Sequence, residues 1–172
     1  KQLLGRALHN LASTIYFPRG QFDLALAMMQ EAQLFRSESD QRHWGLPFLQ
    51  AMIYERTGNH HRARQALDEL LPILQPASRI TGGYFYLWAR LAMAEGEFER
   101  AEEYLHLLMR IATTTGVPDL NIWARIEFAR CKRLQGNAAD ARAWAEDGVK
   151  YAQRIDDEYL TGQAMLELAH CA

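Results

Sequence analysis

Four glycines, Gly20, Gly58, Gly96 and Gly136, recur at intervals of 38, 38 and 40 residues, and each is followed five positions later by an alanine: Ala25, Ala63, Ala101 and Ala141. Seven residues before each glycine stands a small residue, Ser13, Ala51, Ala89 or Ala129, and nine residues after it comes Met29, Leu67, Leu105 or Ala145. A fixed period of this size marks a repeat array, in which one supersecondary unit cannot bury its apolar face alone and stacks on its neighbours. Such arrays present extended surfaces that hold something, in contrast to a pocket built around one reaction.

Within each period the pattern is helical. Apolar residues recur at three- and four-residue spacing and strand-like alternation is absent. The spacing predicts helices over 2–18, 21–36, 41–57, 60–74, 80–95, 98–115, 119–135, 138–154 and 158–171. Each glycine ends the first helix of a pair, where a left-handed cap costs other residues more. Longer links fall at 37–40, 75–81, 116–119 and 156–157, with Asp40, Asp119 and Asp157 placed as N-caps. Pro72 lies inside the fourth segment and should kink or end it, because it removes a backbone bond and crowds the preceding turn.

The small residues suggest how each pair closes. Two antiparallel helices approach tightly only where side chains are short, which pairs Ser13 with Ala25, Ala51 with Ala63, Ala89 with Ala101 and Ala129 with Ala141. Larger residues then fill the rim: Phe22 and Phe98 two after the glycine, Tyr16 and Tyr54 four before it, Trp88 and Phe128 eight before it.

Counting from each glycine, positions plus two, five, nine and twelve read Phe22-Ala25-Met29-Ala32, His60-Ala63-Leu67-Leu70, Phe98-Ala101-Leu105-Leu108 and Ala138-Ala141-Ala145-Gly148. This order of small and aromatic residues resembles the tetratricopeptide (TPR) signature. The resemblance covers the chain as repeats at 2–36, 41–74, 80–115 and 119–154 and a partial fifth at 158–172, where Leu168 and Ala169 match the start of a repeat. It implies an all-α fold, a right-handed superhelical solenoid of antiparallel helix pairs with about nine helices. The period of 38 to 40 exceeds the ordinary 34. Long repeats of this kind resemble the sensor segments of MalT-like, LuxR-type bacterial transcription regulators. That resemblance implies a non-enzymatic sensor or scaffold segment for transcription regulation and signal transduction, holding a protein, peptide or small inducer in its concave groove. ATPase and DNA-binding modules would then flank the segment. Here there is no Gly-x-x-x-x-Gly-Lys-Ser/Thr loop and no plausible DNA-reading helix. The alternative is a freestanding peptide-binding TPR adaptor.

By the same resemblance the first helix of each pair lines the concave face, at ten, six and three residues before the glycine. The candidates are Asn10, Thr14 and Phe17; Phe48, Met52 and Glu55; Tyr86, Arg90 and Met93; Ile126, Arg130 and Arg133. Trp123 joins them one turn earlier, and Leu166 and His170 extend the register. Arg90 and Arg130 hold equivalent positions, with Arg133 a turn further on. A guanidinium is a planar fork of donors matched to carboxylate or phosphate, so the trio is a candidate anion clamp. The other reading pairs them with Glu55, Glu127 or solvent. Tyr84, Phe85, Tyr86 and Trp88 form the densest aromatic run. Phe85 and Trp88 fall at core positions, which leaves Tyr86 and Trp123 as groove aromatics able to stack on a sugar ring or a side chain.

Composition narrows the classes further. The 172 residues carry a net charge of -2 without a basic block, which argues against direct nucleic acid contact. The two cysteines, Cys131 and Cys171, are too few for a disulfide framework and suit a reducing, cytoplasmic setting. No apolar run approaches the length of a membrane span and no signal peptide opens the chain. The chain begins and stops within helical sequence and lacks an initiating methionine, so it reads as a piece of a longer protein. Enzyme readings fare poorly, and no cofactor or metal is expected. His60-His61 have no further ligand at metal spacing, and Cys131 on its apolar helix reads as packed. Glu95, Glu97, Glu99, Glu102 and Glu103 read as a solvated outer face. Gly82-Gly83 lacks the residues of a phosphate loop and either frees a helix entry or lets backbones approach.

Overall fold

The computed structural model describes residues 2–35 and 45–171. Those residues are all-helical, with no strand among them. Nine α-helices follow in order: α1 (Gln2–Asn10), α2 (Phe22–Leu34), α3 (Gly45–Arg56), α4 (His60–Asp68), α5 (Arg79–Ala94), α6 (Phe98–Thr115), α7 (Pro118–Leu134), α8 (Ala138–Arg154) and α9 (Glu158–His170). They form two compact units, Lys1–Leu74 and Gln75–Ala172.

The repeating glycines do what their spacing predicts. Gly20, Gly58, Gly96 and Gly136 all have φ between 71 and 80°, the left-handed region. Each glycine amide donates to the carbonyl three residues back, and the next amide to the carbonyl four before the glycine: Phe17 and Tyr16, Glu55 and Tyr54, Met93 and Ala92, Arg133 and Lys132. This is the Schellman closure of a helix end, built four times over. The chain then re-enters a helix at once. The amides of Ala25, Ala63, Ala101 and Ala141 make the first helical bonds, to the carbonyls of Gln21, Asn59, Glu97 and Asn137. Asn59, Ser78, Asn137 and Asp157 cap α4, α5, α8 and α9 through side-chain oxygens that accept from amides three residues on.

In the first unit α2 packs on α1 and α3, and α3 on α4. Ala12, Phe17, Ala25, Met29, Leu46, Leu49 and Ile53 form its core. In the second unit each helix packs on the next, and α7 also touches α5 and α9. Ala89, Ala101, Leu105, Leu108, Leu120, Phe128 and Cys131 are buried together there, and Ile122, Ile126, Ala152, Leu160 and Ala164 form a second cluster. The paired alanines Ala51 and Ala63, Ala89 and Ala101, Ala129 and Ala141 are all inaccessible to solvent or nearly so.

Four expectations need correction. The first segment does not run as a uniform α-helix: Leu11–Tyr16 is π-helical. Within it the Ser13 and Thr14 hydroxyls donate to the carbonyls of His9 and Asn10 at 2.9 and 2.6 Å. The wider turn makes Ala12, not Ser13, the buried small residue beside Ala25. The fourth segment ends at Asp68 instead of running to 74, the early end that Pro72 led one to expect, and Pro72 sits in a 3-10 turn at Leu71–Ile73. Asp119 is not an N-cap. Pro118 takes the first helical position of α7, where its missing N–H costs nothing, and so moves the cap to Val117. Asp157 does cap α9, donated to by Leu160 N at 2.9 Å. Asp40 lies outside the described residues.

Candidate functional site

The groove candidates separate by unit. In the first, Asn10 and Thr14 are exposed on the π-helical stretch and its approach, and Phe48, Met52 and Glu55 are half-buried on α3. Phe17 belongs to the core, with the Arg56 guanidinium 5.0 Å from its ring centroid. In the second unit Met93 and Ile126 are also core residues, whereas Tyr86, Arg90, Trp123, Arg130 and Arg133 remain half-buried. Leu166 and His170 are exposed on α9.

The structure brings five of these second-unit residues into one arrangement along α5, α7 and α9. Tyr86 and Trp123 meet with ring centroids 5.5 Å apart and planes tilted by 42°. The Arg90 guanidinium lies 5.7 Å from the Tyr86 ring, and that of Arg79 lies 6.0 Å from Trp123 while pairing with Asp119. A guanidinium over an aromatic face is attracted by the ring's negative face. Phe85 and Trp88, expected in the core, are half-buried and lean on Tyr104, while Tyr84 is the buried aromatic of this run.

The arginines do not stand as an open anion clamp. Arg90 Nη1 donates to Glu127 at 3.0 Å, and Arg130 Nη1 donates to both Glu127 oxygens at 2.9 Å. Arg133 Nε donates to Glu167 at 2.9 Å. Arg130 Nε lies 3.5 Å from Glu167, and His170 Nδ1 lies 3.7 Å from it. Glu127 and Glu167 are each only 2% exposed. A buried carboxylate is tolerated where guanidinium groups and hydrogen bonds replace its water. The result is an unbroken ladder from α5 across α7 to α9. Arg90 stands at its α5 end, beside the Tyr86 ring.

Glu167 was not singled out from sequence, and Glu127 only as a counter-ion. A signal for both exists in the repeat register. Nine residues before the glycine, α3 and α5 carry Leu49 and Leu87, both buried; α7 carries Glu127 there, and Glu167 follows 40 residues later. A carboxylate in a leucine column must find cations, and the nearest candidates were the three arginines. A second charged cluster lies between α7 and α8. Arg125 Nε donates to Asp147 at 2.6 Å, and the Tyr151 ring sits between Arg125 and Arg154 at 4.7 and 5.3 Å.

Cys131 is fully buried with Sγ directed at the Phe98 carbonyl, 3.9 Å away. Burial pushes its thiol pKa up to about 11, so it is held as a packed thiol and not as a nucleophilic thiolate. Gly82 is a point of close approach: a Cβ there would lie 2.6 Å from Leu120 Cδ1. Glu95, Glu97, Glu99 and Glu103 are exposed, but Glu102 is half-buried and receives a bond from Lys132. Among the described residues no group of three or more His, Cys, Asp or Glu is placed to hold a metal ion, and no helix is long and apolar enough to cross a membrane. No protein-family model matches this chain, and no curated protein matches it either.

Proposed function

We propose that this chain is a non-enzymatic, TPR-like binding segment, a superhelical stack of helix pairs that serves as the sensor or scaffold part of a MalT-like bacterial regulator. Its binding surface in the second unit is the α5–α7–α9 face, and its partner is a protein, peptide or small inducer. The observation that carries this reading is the Tyr86–Trp123 pair standing beside arginines whose heads are already fixed by Glu127 and Glu167. Side chains immobilised before binding lose little further freedom when a partner arrives. Aromatic faces next to oriented donors suit a ligand that has both a flat or apolar part and an acceptor group.

Selection of random peptides on the intact chain tests the surface. Selected peptides should bind the parent and lose at least about tenfold affinity with Trp123→Ala, a loss of about 1.4 kcal/mol. Binding that ignores Trp123→Ala and Tyr86→Ala would remove the face from consideration. Small-angle scattering tests the stack. A closed globule of this length has a radius of gyration of about 16 Å; a superhelix must exceed that clearly. Adjoining coding sequence for an ATPase and a helix-turn-helix would distinguish the regulator from an adaptor that works alone.

A further inference from the structure

Helix α7 is an interior helix of the second unit, packed by α5 and α6 before it in the chain and by α8 and α9 after it. Its remaining side carries Trp123, Arg130 and Arg133, all half-buried. By helix geometry Arg130 lies about 10 Å along α7 from Trp123 and about 20° around it. Arg133 follows about 5 Å further on, turned toward Glu167 of α9.

The ladder has an inside and an outside. Glu127 and Glu167 are 2% exposed, whereas the Arg130 and Arg133 side chains are 29% and 32% exposed. Arg130 commits Nη1 to both Glu127 oxygens and turns Nε to Glu167, while Arg133 uses Nε alone. Arg130 Nη2 and both Nη nitrogens of Arg133 donate to no described residue. The carboxylates therefore lie beneath and the guanidinium groups above, so the outward edge of the pair is one of N–H donors. An arginine already held by one of its nitrogens loses little freedom on meeting a second acceptor.

We infer, resting on the binding face proposed above, that its partner is an acidic peptide segment. An aromatic or apolar side chain of that segment seats on the Tyr86–Trp123 pair. An Asp or Glu carboxylate three or four residues away is received by Arg130 and Arg133. Three features select this chemistry. A carboxylate is planar and accepts two parallel bonds, which matches the open fork of Arg133. An extended chain advances about 3.3 Å per residue, so three to four residues cover the distance from Trp123 to the arginines. Positive groups lying over buried negative ones set up a field that points outward, drawing carboxylates in and turning basic side chains away.

Paired peptides supply the test. Short peptides selected on the intact chain are synthesised with both ends blocked, in twins that differ by one exchange of glutamate for glutamine, or of aspartate for asparagine. They are titrated against the parent, Arg133→Lys and Trp123→Ala. Selected binders should carry the carboxylate at the stated spacing, and the amide twin should bind the parent at least about tenfold more weakly. Arg133→Lys keeps a positive charge for Glu167 but lacks the outward fork. It should hold its melting curve and bring the twins within about threefold of each other. Trp123→Ala should weaken both twins alike. Binders that need Trp123 yet lose nothing as amide twins overturn the acidic partner and leave the face standing. A gap that a folded Arg133→Lys leaves unchanged overturns it too; the twins measured on the parent decide alone where that variant does not fold. Binders indifferent to Trp123→Ala remove the face itself, and the acidic partner with it.

Discussion

The two units close their helix pairs with the same glycine turn, yet they fill the space before that turn differently. In the first unit Leu49 of α3 is buried among Ala12, Met29 and Ile53. In the second unit Leu87 of α5 is still a leucine, but α7 and α9 place Glu127 and Glu167 at the equivalent depth and surround them with arginines. Helix regularity differs as well. The first unit contains the π-helical stretch and the short α4, whereas α5 to α8 run 16 to 18 residues. A turn with a fixed backbone requirement constrains where helices end. It leaves open whether oil or ions join them.

The largest expected effect tests that contrast. Glu127→Ala removes one carboxylate that both Arg90 and Arg130 contact. Removing one side of a buried ion pair costs about 3–5 kcal/mol; the half-exposed arginines can turn to water, so the expectation is about 2–4 kcal/mol by urea unfolding. Glu127→Leu recreates the residue used at Leu49 and Leu87. It too removes only one side of the ion pair, but it fills the space that alanine leaves empty, so it should cost less than the alanine variant by about 1 kcal/mol or more. An alanine variant as stable as the parent would mean that the ladder contributes nothing and that the two units are held alike.

Next in size is the small-residue contact that both units share. Ala101 and Ala63 are 0% and 1% exposed at the same register position. Leucine at either overpacks the pair and should cost about 1–3 kcal/mol. Ala101→Leu should be the more damaging, because α6 is held along its length by α5 and α7. By contrast α4 stops after nine residues and has room to shift. Thermal midpoints equal to the parent's would refute the close-packing account, and a larger loss at Ala63 would reverse the comparison.

How much of this could be read in the chain depends on which physical constraint was visible. A left-handed turn admits few residues other than glycine, and a helix contact with no room admits few other than alanine, so Gly96 and Ala101 announced the helix pairs. Boundaries failed where a local competitor intervened. Pro118 started α7 one residue early, and the π-helical stretch at Leu11–Tyr16 interrupted the first segment, whereas Pro72 shortened α4 as expected. The site was legible in half. Arg90, Arg130, Arg133, Tyr86 and Trp123 were placed on helices α5 and α7, and Glu127 was named as a counter-ion for the arginines, but Glu167 was not. Glu127 and Glu167 look like ordinary surface carboxylates along the chain. Only reading down the repeat column, where leucine gives way to glutamate, marks them as buried.

The smallest expected effect concerns a pair that contrasts with the ladder by lying near the surface. Glu102 on α6 accepts from Lys132 Nζ and Gln135 Nε2, each at 2.7 Å. Partial burial alone would raise its pKa; the bonds from Lys132 and Gln135 and the lysine's charge outweigh that and hold the carboxyl below its ordinary value. A folded value below the unfolded one means that the native state binds fewer protons in mild acid. The stabilisation is therefore fully present above the unfolded pKa of about 4.3 and is lost as pH falls through the folded value. Lys132, raised mainly by its bond to Glu102, behaves oppositely: its contribution holds below the unfolded pKa of about 10.4 and fades as pH rises through the folded value. Both side chains keep some contact with water, which limits the pair to under about 1 kcal/mol. Glu102→Gln should thus cost a few tenths to about 1 kcal/mol at pH 7 and progressively less below the carboxylate range. If the gap between parent and variant stayed constant through that range, Glu102 would be stabilising α6 and α7 by packing alone, without help from its charge.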